Sequence, residues 1–165
     1  ARKNKNFDFI LFLGIIPLMF VLKDLEFTIG GYNLFWKLSF LSILFSLSVL
    51  LILNKKYNLL NEKKFDNLMS FTICFFFLIP ALGIFLNTYF TNGVVYKQSY
   101  FIKQKAINES AKGSKTYIIY IKTKYDDEER LEITKDLYKS DYQNVELTLK
   151  KGLIGYYYVN QIEGH

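Results

Sequence analysis

The side chains that usually carry chemistry are sparse in this chain, and their spacing is informative. The one histidine, His165, is the last residue, and the one cysteine, Cys74, sits inside an uncharged apolar run. A serine nucleophile therefore has no internal imidazole to take its proton, and one sulfur can build neither an intramolecular disulfide nor a thiolate zinc cluster. Cys74 is expected to be a small packing residue. Gly164 and His165 read as the remnant of a purification tag and are set aside.

Asp126, Asp127, Glu128 and Glu129 could suggest a cation site. Consecutive acids point in different directions, however, and lack the alternate spacing and glycine of a calcium loop. They read as a solvated hairpin tip. Asn108, Glu109 and Ser110 fit a glycan acceptor pattern, but three-residue matches are frequent by chance and this one carries little weight. No glycine-rich phosphate loop follows a strand. The sequence thus assigns no catalytic, cofactor-binding or metal-ligating residue, and a non-enzymatic protein without cofactor is expected.

Two constellations remain. Ser39, Ser42 and Ser46 recur at i, i+3 and i+7, which places three small hydroxyl residues on one helix face, and such faces let helices approach closely in lipid. Packing is preferred over a polar ligand path, because no ionisable residue joins the serines and each hydroxyl can bond to its own backbone. In a strand, Tyr156 and Tyr158 face one side and Tyr157 the other. Core on one side and membrane-interface contact on the other accounts for them, with partner contact as the second reading, since exposed tyrosines are favoured contact residues.

The elements that must position these groups change character near the middle of the chain. Leu68 to Thr88 carries no charged residue, and its 21 residues rise roughly 31 Å as a helix, about the hydrocarbon thickness of a bilayer. Phe35 to Leu53 offers 19 residues whose single charge, Lys37, lies near the end. Phe9 to Leu22 is shorter, about 14 residues, and spans only by tilting little, thinning the bilayer or extending toward Ile29 with its charges snorkelling. Pro17 removes a hydrogen bond within it. Asn54 to Asn67, with four lysines and two acids, reads as a solvated loop. No acid or base lies deep in a span, so ion-coupled transport has little support.

From Gly93 the pattern alternates. Tyr96, Tyr100 and Ile102 share one strand face, as do Tyr117, Ile119 and Ile121, then Leu131 and Ile133, then Val145, Leu147 and Leu149, with a last strand at Tyr156 to Val159. Residues 109–114 (ESAKGS) supply the turn between the first two strands. Lys135 to Asp141 predicts one helical turn that tucks Leu137 or Tyr138 under the sheet. The expected fold is an α+β membrane protein: three transmembrane helices over residues 1–90, then a β-rich water-facing domain over 91–163. That domain is predicted to be a small antiparallel sheet of five strands or a partly closed barrel.

The formal charge is +6, but its distribution argues against nucleic acid. Residues 1–90 hold nine Lys/Arg and five acids (9 − 5 = +4), whereas residues 91–165 hold twelve and ten (12 − 10 = +2). The excess flanks the apolar runs, where bases set orientation instead of binding phosphate. Three bases precede the first run and four follow the second, against only Lys23 and Lys37 between them. The N-terminus is therefore expected in the cytoplasm and the β-domain outside it, most simply in a plasma or bacterial inner membrane. The expected role is an accessory or assembly subunit of an envelope protein complex, with membrane lipid and other membrane proteins as partners. An immunity protein against a membrane-acting toxin, or a small transporter or channel component, are the alternatives.

Overall fold

The computed structural model describes residues 5–57, 64–111 and 113–164. Residues 1–4 and 58–63 of the two basic flanks, Lys112 of the expected turn and His165 lie outside them. Helices come first: α1 (Lys5–Glu26), a two-residue strand β1 (Thr28–Ile29), α2 (Gly31–Tyr57) and α3 (Lys64–Tyr89). Strands β2 (Thr91–Glu109), β3 (Lys115–Ile121) and β4 (Glu129–Ile133), the short helix α4 (Lys135–Lys139), and strands β5 (Asn144–Gly152) and β6 (Tyr157–Gly164) follow. The described residues divide into two compact units. One holds α1 up to Leu22 together with Leu34 to Phe85; the other holds Lys23–Asn33 together with the chain from Leu86 onward.

Among the described residues of the helical unit, two helices are long and apolar enough to cross a membrane, over Gly31–Lys56 and Leu68–Tyr89. Three were expected. In α1, Asp8 and Lys23 bracket 14 apolar or neutral residues, which rise about 21 Å against a hydrocarbon core of about 30 Å. The helices also reach into the segment expected to be a loop, because Lys55 and Lys56 in the last turn of α2 complement the negative end of its dipole. Small residues occupy many of the buried positions: Gly14, Ser39, Ser42, Ser46, Ser70 and Ala81 are all buried. At Gly14 the α1 backbone meets that of α3, where a Cβ would stand 2.6 Å from the Cys74 carbonyl oxygen. Large apolar side chains point outward instead, Phe20, Phe40 and Ile52 among them.

The second unit is a six-stranded, wholly antiparallel open sheet in the order β1-β6-β5-β2-β3-β4. Five strands were expected; the sixth, β1, hides in the short polar link after α1, where two residues give too little alternation to read. The link pairs because Gly30, at φ 74°, turns the chain into α2 through a conformation that suits glycine. The sheet is open, yet Ile29 at one edge and Leu131 and Ile133 at the other share one core with Ile119, Ile121, Val145, Leu147 and Leu149, so the sheet curls over its own inner face. Thr134 caps α4, its Oγ1 accepting from Leu137 N–H at 3.4 Å, and both Leu137 and Tyr138 pack against the core. Gly164 pairs with Val145 in the last ladder, so this residue, set aside as a tag remnant, is part of the sheet.

Candidate functional site

The site of interest lies in the sheet unit and follows from the length of β2. Its 19 residues serve two different neighbours: Thr91 to Phe101 pair with β5, whereas Ile102 to Glu109 pair with β3, and the register slips between Ile102 and Gln104. Each half therefore has one laddered side and one side without a ladder. Beyond the slip, the open side is covered by the chain leading into β5, where Lys105 Nζ donates to the carbonyls of Tyr138 and Ser140 at 3.4 and 2.5 Å. Before the slip, the open side faces a cleft of about 930 Å³.

The cleft has an aromatic and aliphatic floor and a basic rim. Ile29, Tyr96, Tyr100, Phe101, Leu149 and Tyr157 supply the apolar surface, and Lys97, Lys103, Lys122 and Lys124 the cations. Among the described residues no carboxylate lines it. Tyr96 and Tyr157 meet edge to face at 5.6 Å between centroids, and Lys124 Nζ sits 5.6 Å from the centre of the Tyr157 ring and 4.8 Å from that of Tyr125, within range of a cation–π attraction. Lys97 bonds to Glu146 at 2.7 Å and Lys122 to Asp127 at 2.8 Å. These partners raise the Lys97 and Lys122 ammonium pKa values and lower that of the Asp127 carboxyl, but all three groups are solvent-exposed and the pairs are weak supports.

The wall formed by residues 122–129 is fixed by a compact network. Thr123 Oγ1 accepts from the N–H groups of Tyr125 and Asp126 and donates to Glu129 Oε2 at 3.2 Å. Glu129, only 6% exposed, also accepts from Gly30 N–H at 3.0 Å. Burial pushes its carboxyl pKa up, opposed by these two hydrogen bonds. The acidic run is thus not uniformly a solvated tip: Asp126, Asp127 and Glu128 are exposed, but the fourth acid begins β4 and latches it to the turn at Gly30. Nearby, Arg130 Nη1 pairs with Glu26 at 2.8 Å. Tyr125 stacks on Tyr156 with centroids 5.0 Å apart, and the Tyr156 hydroxyl donates to Asn33 Oδ1 at 2.9 Å.

The residues singled out in the sequence fall in two separate units. Ser39, Ser42 and Ser46 are buried on α2; Ser42 Oγ donates to Ser39 O at 2.6 Å and Ser46 Oγ to Ile43 O at 2.9 Å. Among the described residues Ser39 Oγ has no hydrogen-bond partner. Of the tyrosines, Tyr156 is buried in the turn before β6, Tyr158 is half-buried opposite Thr28 and Lys150, and Tyr157 alone lines the cleft. Sequence reading missed the cleft itself, because Lys103, Lys122 and Lys124 were visible only as charges and not as neighbours across 20 residues of chain. It also missed Asn87, fully buried at the end of α3, whose Oδ1 accepts from Ile154 N–H at 3.2 Å and whose Nδ2 donates to Tyr156 O at 3.3 Å. A lone amide side chain one residue from the end of the Leu68–Thr88 run was the available signal.

Fold and site together define an α+β protein with two helices long enough to cross a membrane and a curled antiparallel sheet bearing an aromatic, lysine-rimmed cleft. Compared with known proteins, the chain matches no family model, no curated protein and no solved structure.

Proposed function

We propose that this chain is a non-enzymatic integral membrane protein that receives another membrane or envelope protein on its C-terminal sheet, as an accessory or assembly subunit. The observation that carries this reading is the cleft: an apolar floor, a basic rim and an unladdered stretch of β2 offer shape, charge and backbone hydrogen bonds in one place. Exposed tyrosine and phenylalanine edges suit protein recognition, because they bury much area at small entropic cost. The outward apolar side chains of α1, α2 and α3 support a lipid setting, since a water-soluble protein rarely exposes so much contiguous apolar surface. In this reading α1 is a third, short span, packed on α3 at Gly14 and Cys74. The balance of seven flanking bases against two supports a cytoplasmic N-terminus and an extracytoplasmic sheet in the inner membrane.

A photo-crosslinking residue placed in cells tests the reading. At Phe101, 61% exposed at the cleft, it should yield an adduct with one distinct protein. At Ile107, 48% exposed on the other half of β2, it should not. Adducts with neither position, together with a mild-detergent pull-down that returns only the chain itself, would remove the accessory-subunit reading.

A further inference from the structure

The partner reading leaves open how a partner is held, and β2 restricts the answer. In an antiparallel strand the N–H and C=O of one residue point to the same side, and successive residues alternate sides. Ile102 N–H donates to Gln143 O at 2.8 Å, which directs Ile102 toward β5. By alternation Tyr100, Gln98 and Tyr96 also bond toward β5, while the backbone groups of Phe101, Ser99 and Lys97 point to the opposite side, into the cleft. The ladder between Val95 and Phe101 runs without a register slip, and this stretch contains no proline. A regular strand edge without a ladder partner is a template for another strand, and the lysines beside it discourage indiscriminate pairing.

Resting on the partner-binding reading, we propose that the partner docks by strand addition: an extended, acidic segment lies along β2 from Tyr96 to Phe101 and hydrogen-bonds to Lys97, Ser99 and Phe101. Affinity comes from main-chain bonds and specificity from alternate side chains. Those facing inward meet Tyr96, Tyr100 and Tyr157. Carboxylates at the rim meet Lys103 and Lys124; Glu146 and Asp127 already pair with the other two rim lysines, Lys97 and Lys122, and Asp127 also lies within electrostatic reach of Lys103. The same charge disfavours the other simple occupant, a second copy pairing edge to edge, because it would bring the lysine-rich rims of two copies together.

The test uses the full chain in nanodiscs of phosphatidylcholine, panned against displayed random short peptides. Enriched peptides should alternate apolar residues with Asp or Glu. Ser99→Pro deletes an N–H on the open side, where proline is tolerated, and should weaken binding about thirtyfold by removing that bond and crowding its neighbour. Lys103→Glu with Lys124→Glu should weaken it roughly fivefold, given the modest worth of exposed pairs. Amide exchange guards against misfolding: peptide should newly protect Lys97, Ser99 and Phe101 but not Gln98 and Tyr100, and Leu147 should stay protected in every variant. Peptides that bind without this alternate protection, or bind Ser99→Pro equally well, would overturn strand addition while leaving partner binding in place. Competition by phosphatidylglycerol vesicles but not phosphatidylcholine vesicles would assign the rim to anionic lipid instead. Protection that depends on protein concentration without peptide would assign the edge to a second copy.

Discussion

The helical unit and the sheet unit differ in what they expose and in how much small polar surface they bury. In the sheet, most of the fully buried side chains are branched aliphatics, Ile119, Leu131, Val145 and Leu147 among them, and the exterior alternates with charge. On the helices, three serines of α2 are almost completely buried, along with Leu50 and Ile84, while Phe40, at 65% exposure, and Ile52, at 69%, face out. The difference bears on the lipid setting proposed for the helices. Water drives branched aliphatics inward, whereas lipid is as apolar as leucine and rewards close backbone approach through small residues. Buried serines and outward phenylalanines on the helices support the lipid setting proposed for them, and the buried aliphatics of the sheet fit water.

The largest test of this contrast lies in the sheet core. Leu147→Ala should cost about 2–5 kcal/mol, read as the loss of sheet stability in a denaturant titration in detergent. Phe40→Ala, at an outward position, should change the same titration by about 0.5 kcal/mol or less. Equal losses would mean that Phe40 is packed against protein and the contrast is false. Inside the helical unit the sign of the size change reverses. Ser42→Leu should overpack a buried site and cost about 1–3 kcal/mol, whereas Ser48→Leu, at an exposed position whose hydroxyl bonds Leu44 O, should be within about 0.5 kcal/mol of neutral. Equal losses for the two serines would remove the idea of one packed face.

The smallest effect concerns Glu129. Burial raises its folded-state pKa, so the folded protein holds this proton more tightly than the unfolded chain does. The contribution is therefore fully present below the ordinary glutamate pKa and is lost as pH rises through the raised folded value. Wild type should lose stability with rising pH across that window, and Glu129→Gln, which can keep a hydrogen-bond acceptor toward Gly30, should flatten the slope. An unchanged slope in the variant would assign the pH dependence elsewhere.

How much of this was legible in the sequence depended on the range of the signal. The apolar runs at Phe35–Leu53 and Leu68–Thr88 mark α2 and α3 because composition alone decides them. Alternation at residues 117–121, 131–133 and 145–149 marks β3, β4 and β5 because each strand buries one face. What failed was non-local or short. β1 has two residues and no period to detect. The division of β2 between β5 and β3 follows from ladder register, which the pattern of a single strand does not encode. The cleft is the outcome of that division, so Tyr96 and Tyr100 could be placed on one face without any sign that Lys122 and Lys124 would stand opposite them. Glu129 looked like the other acids of its run because burial of the fourth residue depends on Gly30, 99 positions away.

The central claim, that one unit lives in lipid and the other in water, is tested most directly by spin-label accessibility in bilayers. With Cys74 replaced by alanine, single labels at position 40 on α2 and position 107 on β2 are relaxed by dissolved oxygen, which concentrates in hydrocarbon, or by a water-soluble nickel chelate. The account predicts strong oxygen and weak nickel relaxation for a label at Phe40, and the reverse at Ile107. Nickel reaching position 40 as freely as position 107 would place α2 in water and contradict the account.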